Sequence, residues 1–258
     1  MTDVDTTPDS DVIEDIELTD GRDLQASTDL AMVFATIARE LSTQASVADT
    51  LERTVLLAVD VVPGAEYAGV SWLMPDTELE TPACTDPVVT QCDAAQYAYN
   101  EGPCVQAVWD GDIYQVDDLA SDGRWPRFAR AATDLGMRSM LACQLSSPKR
   151  TIGALNLYSG RVGAFDDQSS ALITIFAAHA SVALMHRRME QDLRSAIDSR
   201  STIGQAIGIL VERHRLTPDQ AFQVLVTASQ QRQIKVRELA ARLVETGTGP
   251  GLPPPLRR

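Results

Sequence analysis

Cys84, Cys92, Cys104 and Cys143, with His179, His186 and His214, are the side chains that could act as nucleophiles, general bases or metal ligands. Their spacing argues against each use. No cysteine pair has the CxxC separation of zinc or thioredoxin-like sites, and four cysteines are too few for a disulfide scaffold in a chain of 258 residues. Phosphate-binding GxxxxGK, HExxH and GxSxG motifs are missing, and three histidines leave most base and nucleophile schemes without parts. Catalysis and metal binding are not expected, and a reducing cytoplasm fits the free thiols. Cys104, in Glu101-Gly102-Pro103-Cys104, reads as a small buried hydrophobe rather than a reactive or haem-adjacent thiol, and the same holds for Cys92 and Cys143. Trp72, Trp109 and Trp125 read as core mass more readily than as pocket walls. His179, in a helical run among apolar neighbours, reads as structural.

A different chemistry is suggested by Gly204 and Gly208, four residues apart in the middle of a helical pattern. Each glycine costs a helix about 1 kcal/mol relative to alanine, so something must approach closely enough to favour them. One reading is a tight crossing against a neighbouring helix. The other is that a flat ligand, such as an unstacked base, rests on the bare stripe while Arg200 and Gln205 reach its edges. Both can hold, on opposite sides of the helix.

The elements that must position these residues follow from periodicity. Helical spacing of Val33, Phe34, Ile37 and Leu41, then of Leu51, Val55, Val59 and Val62, predicts two helices, the second stopped by Pro63-Gly64. Tyr67 to Leu73 reads as a strand, Val88-Val89 as part of another, and Ile113 to Val116 as a third. A short helix starts at Pro103, and Arg127 to Leu135 is helical and ends at Gly136. Ser139 to Leu145 and Thr151 to Tyr158 form an antiparallel pair across Ser146-Ser147-Pro148-Lys149-Arg150. After Asp166-Asp167, which can cap a helix, no strong breaker appears until Thr217-Pro218, so one very long helix or two end to end is expected. Thr217-Pro218-Asp219-Gln220 spells a capping box that opens a new helix. Its apolar face (Ala221, Phe222, Leu225, Ala228) and that of a final helix (Val236, Leu239, Ala240, Leu243, Val244) close a three-helix core with Ile203, Ala206, Ile207 and Leu210.

Charge is unevenly spread. Residues 187–258 carry twelve Lys and Arg against seven Asp and Glu, whereas residues 1–186 carry ten against twenty-nine, so a polyanion would be drawn only to the C-terminal part. Met1 to Asp20 holds eight acids and no base, a composition that does not bury enough surface to order itself. No run of eighteen uninterrupted apolar residues occurs, and the acidic start is unlike a signal peptide, so neither a membrane nor secretion is expected. Val182, Met185, Met189, Leu193 and Ile197 recur every three or four residues, the spacing of a seam between two parallel helices of a homodimer or of a face packed on the chain's own sheet.

Ser199 to Val244, "SRSTIGQAIGILVERHRLTPDQAFQVLVTASQQRQIKVRELAARLV", resembles an ANTAR domain, the three-helix RNA-binding module of transcription antiterminators. Upstream, "EGPCVQAV", "DDLASDGRWPRFA", "GMRSMLACQL", "IGALNLYSGRVGAFDD" and "FAAHASVAL" resemble the GAF sensory domain that precedes ANTAR in actinobacterial regulators. The resemblance implies an α+β GAF-type sensor, a sheet flanked by helices, followed by a long helix and a small all-α ANTAR domain. It divides the chain into an acidic disordered arm (1–27), the sensor (28–183), a helical dimerisation linker (184–198), the ANTAR domain (199–246) and a flexible tail (247–258).

It also implies a function. An ANTAR dimer would hold two small RNA hairpins of a leader transcript by their loops, preventing a terminator stem from forming and acting on RNA polymerase only indirectly. Loops suit a small domain because their splayed bases offer edges that a duplex hides. By motif position Arg200, Gln205, Ala206 and Gly208, with Ser229, Gln230, Lys235 and Arg237, are the expected RNA contacts, the cations on phosphate and the polar groups on bases. The family often carries Lys where this chain has Ile207, which removes one cationic contact. A GAF domain implies a pocket for a small molecule, of unknown identity here, or a purely dimerising role. The alternatives are a ligand-responsive DNA-binding or protein-binding regulator; against the first, the helix from Thr217 to Arg232 presents Asp219, Gln220 and Gln223 and little positive charge.

Overall fold

The computed structural model describes residues 21–252 apart from 112, 149 and 250. The chain divides into two compact units between Met185 and His186.

The first unit opens with α1 (Gly21–Ser42) and α2 (Val47–Val61), followed by β1 (Tyr67–Leu73), β2 (Leu79–Cys84), α3 (Pro87–Tyr99), α4 (Pro103–Asp110), β3 (Ile113–Val116), α5 (Pro126–Asp134), β4 (Ser139–Ser147) and β5 (Arg150–Ser159). It closes with the start of α6 (Asp167–His214). The five strands form one antiparallel sheet in the order β2-β1-β5-β4-β3. The β4–β5 hairpin pairs from Ser139 opposite Ser159 to Ser147 opposite Arg150, as its sequence predicts.

Both faces of the sheet are covered, which is why β4 and β5 read as apolar runs rather than as an alternation. Leu141, Leu145, Leu155 and Leu157 face α1, α2 and α6 through Ile37, Leu41, Val55, Ile173 and Phe176. Met140, Ala142, Ala154 and Tyr158 face Val89, Cys104, Ala107, Val108 and Phe128 of the other helices. By length and composition α6 could cross a bilayer, and 44% of its apolar stretch of 18 residues is buried. Asp166 caps α6, its carboxylate accepting from the backbone N–H of Ser169 at 2.8 Å, which also holds its carboxyl below the usual range.

Two expectations are corrected here. Val88 and Val89 belong to α3, not to a strand, because Asp86 caps the helix from Val88 N and Pro87 supplies its first residue. The strand in that region is β2, which alternates in burial but spells Leu-Glu-Thr-Pro-Ala-Cys, with the polar Thr81 on its inward side and Pro82 within the run. Helix α1 begins at Gly21, inside the segment expected to be an acidic arm, whose first twenty residues lie outside the described ones.

The second unit holds the rest of α6, then α7 (Pro218–Arg232) and α8 (Val236–Thr246). The capping box forms at the start of α7: Gln220 N donates to Thr217 Oγ1 at 3.3 Å, and Thr217 N to Gln220 Oε1 at 2.9 Å. Ala206, Leu210, Ala221, Leu225, Ala228, Leu239, Ala240 and Leu243 make the core. Of the segment expected to be a flexible tail, Leu252 packs onto this core, and residues 253–258 lie outside the described ones.

Candidate nucleic-acid interface

The second unit presents its polar groups on α6 and around the α7–α8 turn. Helix α7 ends with Gln233 in the left-handed region, and Ser229 Oγ donates to Ile234 O at 2.6 Å, which fixes the turn and delivers Lys235 as the N-cap of α8. Arg200, Gln205, Gly208, Gln230, Lys235 and Arg237 are all exposed. Among the described residues, Arg200, Lys235 and Arg237 enter none of the ion pairs that occupy other cations of the chain.

Ala206 is not available to a ligand: it is fully buried, one of the residues on which the three helices close. Its small size serves packing, so its assignment as an RNA contact is withdrawn. Ser229 is half-buried and its hydroxyl proton is spent on the turn, so it positions Lys235 and Gln230 more than it offers a free donor.

Gly204 and Gly208 settle one question the sequence leaves open. A Cβ added at either would meet nothing within 4 Å, so no helix of this chain crosses close to them. By the 3.6-residue period they lie on the flank of α6 opposite Ala206 and Leu210. Met189, Leu193 and Ile197, exposed to 65%, 62% and 58%, precede them on that same flank, so an apolar stripe runs into a bare one with Arg200 between. Val182 is exposed as well, whereas Met185 packs against the core of the first unit.

A second feature was not anticipated. Gln191, Arg194, Ser195, Asp198, Ser199 and Thr202 of α6 face Arg237, Glu238 and Ala241 of α8 across an open groove of about 550 Å³. Gln205, three residues beyond Thr202, continues the groove side of α6, while Arg200, Gly204 and Gly208 lie round the helix from it. The fold therefore brings Arg237 beside α6 and leaves Arg200 on another flank. The recurrence of polar residues at 191, 195, 199 and 202 is the signal that could have revealed the groove.

In the first unit all four cysteines are free. Burial pushes the thiols of Cys92 and Cys143 up to about 12 and about 11, and that of Cys104 higher still. His179 accepts a structural place, with Nδ1 2.8 Å from Ile175 O and its ring stacked on Phe34. Trp125 is core, but Trp109 is not: it is 55% exposed and lines a cavity of about 400 Å³ with Leu79, Tyr97 and Val105. Among the described residues no cluster of three or more His, Cys, Asp or Glu could hold a metal ion.

A model of the GAF domain family matches residues 44–185, and a model of the ANTAR domain matches residues 191–244. Among curated proteins none matches the chain. Solved structures similar to it include free methionine-R-sulfoxide reductase from Neisseria meningitidis, at 18% identity and TM-score 0.51 over 61% of this chain and 89% of that one. The GAF domain of an Acinetobacter phosphoenolpyruvate-protein phosphotransferase gives 14% and 0.51 over 62% and 95%. A bacteriophytochrome from R. palustris gives 11% and 0.55 over 78% and 47%. Identities this low show a shared fold.

Proposed function

The chain belongs to the GAF domain family, and from that premise, with an ANTAR domain behind it, we propose a non-enzymatic cytoplasmic regulator whose sensor domain governs an RNA-binding antitermination module. The observation that carries this reading is the uncovered pair Gly204 and Gly208, each costing α6 about 1 kcal/mol with no contact of this chain to offset it. A base turned out of a hairpin loop is flat enough to lie on such a surface, with Arg200 and Gln205 at its margins. Lys235 and Arg237 neutralise phosphate, Gln230 reads a base edge, and Gly208 admits the ring.

The apolar stripe of Met189, Leu193 and Ile197 supports a homodimer, in which the two α6 helices meet up to Ile197 and separate at Arg200. Two RNA surfaces then hold the two hairpins of a leader RNA, and the terminator does not form. RNA polymerase responds to the RNA rather than touching the protein. A small molecule in the sensor would act by favouring one arrangement of the paired helices over another. The cavity beside Trp109 and Tyr97 is a place for it.

The test is binding of the purified chain to a paired-hairpin RNA, to the same hairpins with altered loops, and to duplex DNA, each across a salt series. Binding lost on changing the loops supports this reading. Equal binding to duplex DNA, or to loop-altered RNA, refutes it in favour of non-specific attraction by the cations.

A further inference from the structure

The sheet face under α3 and α4 buries a carboxylate with no cation beside it. Asp93, fully buried, takes four hydrogen bonds, all from neutral donors. Tyr158 OH donates to Oδ1 at 2.5 Å, Asn156 Nδ2 at 3.1 Å and Gln96 Nε2 at 3.4 Å, while Thr81 Oγ1 donates to Oδ2 at 2.9 Å. Gly102 leaves room for Gln96, since a Cβ there would fall 2.2 Å from Gln96 Oε1, and that oxygen accepts from Cys104 N at 2.9 Å.

The hydroxyls behind this carboxylate form a directed chain. Thr81 spends its proton on Asp93, so Tyr97, 2.8 Å away, donates to Thr81, and Ser71, 2.6 Å from Tyr97, donates to Tyr97. Ser71 Oγ in turn accepts from Asn156 Nδ2 and Cys104 Sγ, both at 2.8 Å. One atom of the cluster is left over: Asn156 Oδ1 is buried and has no partner. A buried carbonyl oxygen without a donor is rare in a folded protein and calls for a reason.

We infer that Asp93 and Asn156 form a proton-responsive pair within the sensor domain, in which a proton taken up from solvent by Asp93 turns the Asn156 amide over. After the turn Asn156 Oδ1 stands where Nδ2 stood, 3.1 Å from Asp93 Oδ1 and 2.8 Å from Ser71 Oγ. The new acid proton then has an acceptor, and the Ser71 hydroxyl rotates from Tyr97 to the same oxygen, while the two Nδ2 protons give up Asp93 and Ser71 and pass to the place that Oδ1 leaves. No covalent bond other than the acid O–H forms. The change passes from α3 to β5 and β1 and alters what holds Tyr97, a wall of the cavity beside Trp109.

Burial pushes the Asp93 carboxyl up to about 6 against the lowering effect of its donors, so both states are reached near neutral pH. The titratable groups around it are Cys92 and Tyr97 on α3, Cys104 on α4 and Tyr158 on β5. Burial raises all four, which keeps them neutral there. Among the described residues no Lys, Arg or His pairs with Asp93.

The experiment is a pH titration of the isotopically labelled full chain by NMR, from about pH 8 to about pH 5, a span that brackets a carboxyl raised this far. It follows the Asp93 carboxyl carbon and the side-chain amide of Asn156. The expected result is one shared midpoint near 6 and an Asn156 amide that stays pH-independent in Asp93→Asn. An Asp93 that stays ionised throughout, or that titrates while the Asn156 amide signals stay put, overturns the inference. If Asp93→Asn does not fold, the titration of the unaltered chain decides alone. RNA is not involved, so the result stands apart from the antitermination reading.

Discussion

Gly204 and Gly208 lie one turn apart on the exposed flank of α6, and a methyl group on either would touch no atom of the chain. Replacing each with alanine should therefore stabilise the second unit by about 0.5–1 kcal/mol. If the flank receives a base, Gly208→Ala should also weaken binding of the paired-hairpin RNA by tenfold or more. Thermal unfolding and RNA titration on the same samples check both. Greater stability with unchanged RNA affinity would take the glycine flank out of the interface.

Arg200, Lys235 and Arg237 are exposed cations without ion-pair partners among the described residues. Lys235→Ala and Arg237→Ala should each lower the salt dependence of RNA binding, reducing the slope by about 1. Arg200→Ala should weaken binding to the native loops more than to altered ones, without unfolding the domain. An identical salt slope in all three variants would place the phosphates elsewhere.

Met189 is 65% exposed at the centre of the apolar stripe. Met189→Lys should yield monomers in sedimentation equilibrium and abolish the gain in affinity from a second hairpin, while single-hairpin binding persists. A dimer that survives this change is held by another surface.

Asp93 links stability to pH. Its folded pKa of about 6 lies above the value near 4 of an unfolded Asp, so the folded chain binds more protons between those values. The stabilisation is complete below the unfolded pKa and is lost as pH rises through about 6, a swing of about 3 kcal/mol. Denaturant melts at pH 5 and pH 7.5 should show roughly half of this swing in the unaltered chain relative to Asp93→Asn, in which it should be absent, because the other half is lost between about pH 3 and pH 5. Equal pH dependence of the two proteins would mean that Asp93 keeps an ordinary pKa.

The capping box offers a local test. Thr217→Ala removes an acceptor for Gln220 N and should cost the second unit about 1 kcal/mol. Hydrogen exchange should rise first at the start of α7 and leave the sheet of the first unit unchanged.

Local grammar determined a good deal of this protein. Thr217-Pro218-Asp219-Gln220 announces α7, the two apolar runs around Ser146 to Arg150 announce the β4–β5 hairpin, and paired glycines mark an anomaly in α6. Each is a property of a few adjacent residues, so a single sequence suffices to read it. The same reading missed β2 and placed Val88-Val89 in a strand, because β2 carries the polar Thr81 on its inward side and Pro82 within the run, so its burial period does not appear as a hydropathy period.

What only the tertiary structure decided is which faces meet. Ala206 and Gly208 stand two residues apart, yet one closes a core and the other is bare, since α7 and α8 pack on one side of α6 alone. Ser71, Thr81, Asp93, Cys104 and Asn156 are scattered along the chain and have unremarkable neighbours. They become one hydrogen-bonded cluster because the antiparallel order lays β1 between β2 and β5 and sets α3 across them. Periodicity gives the inward side of each element, but the partner across the core depends on strand order and crossing, which long-range packing alone supplies.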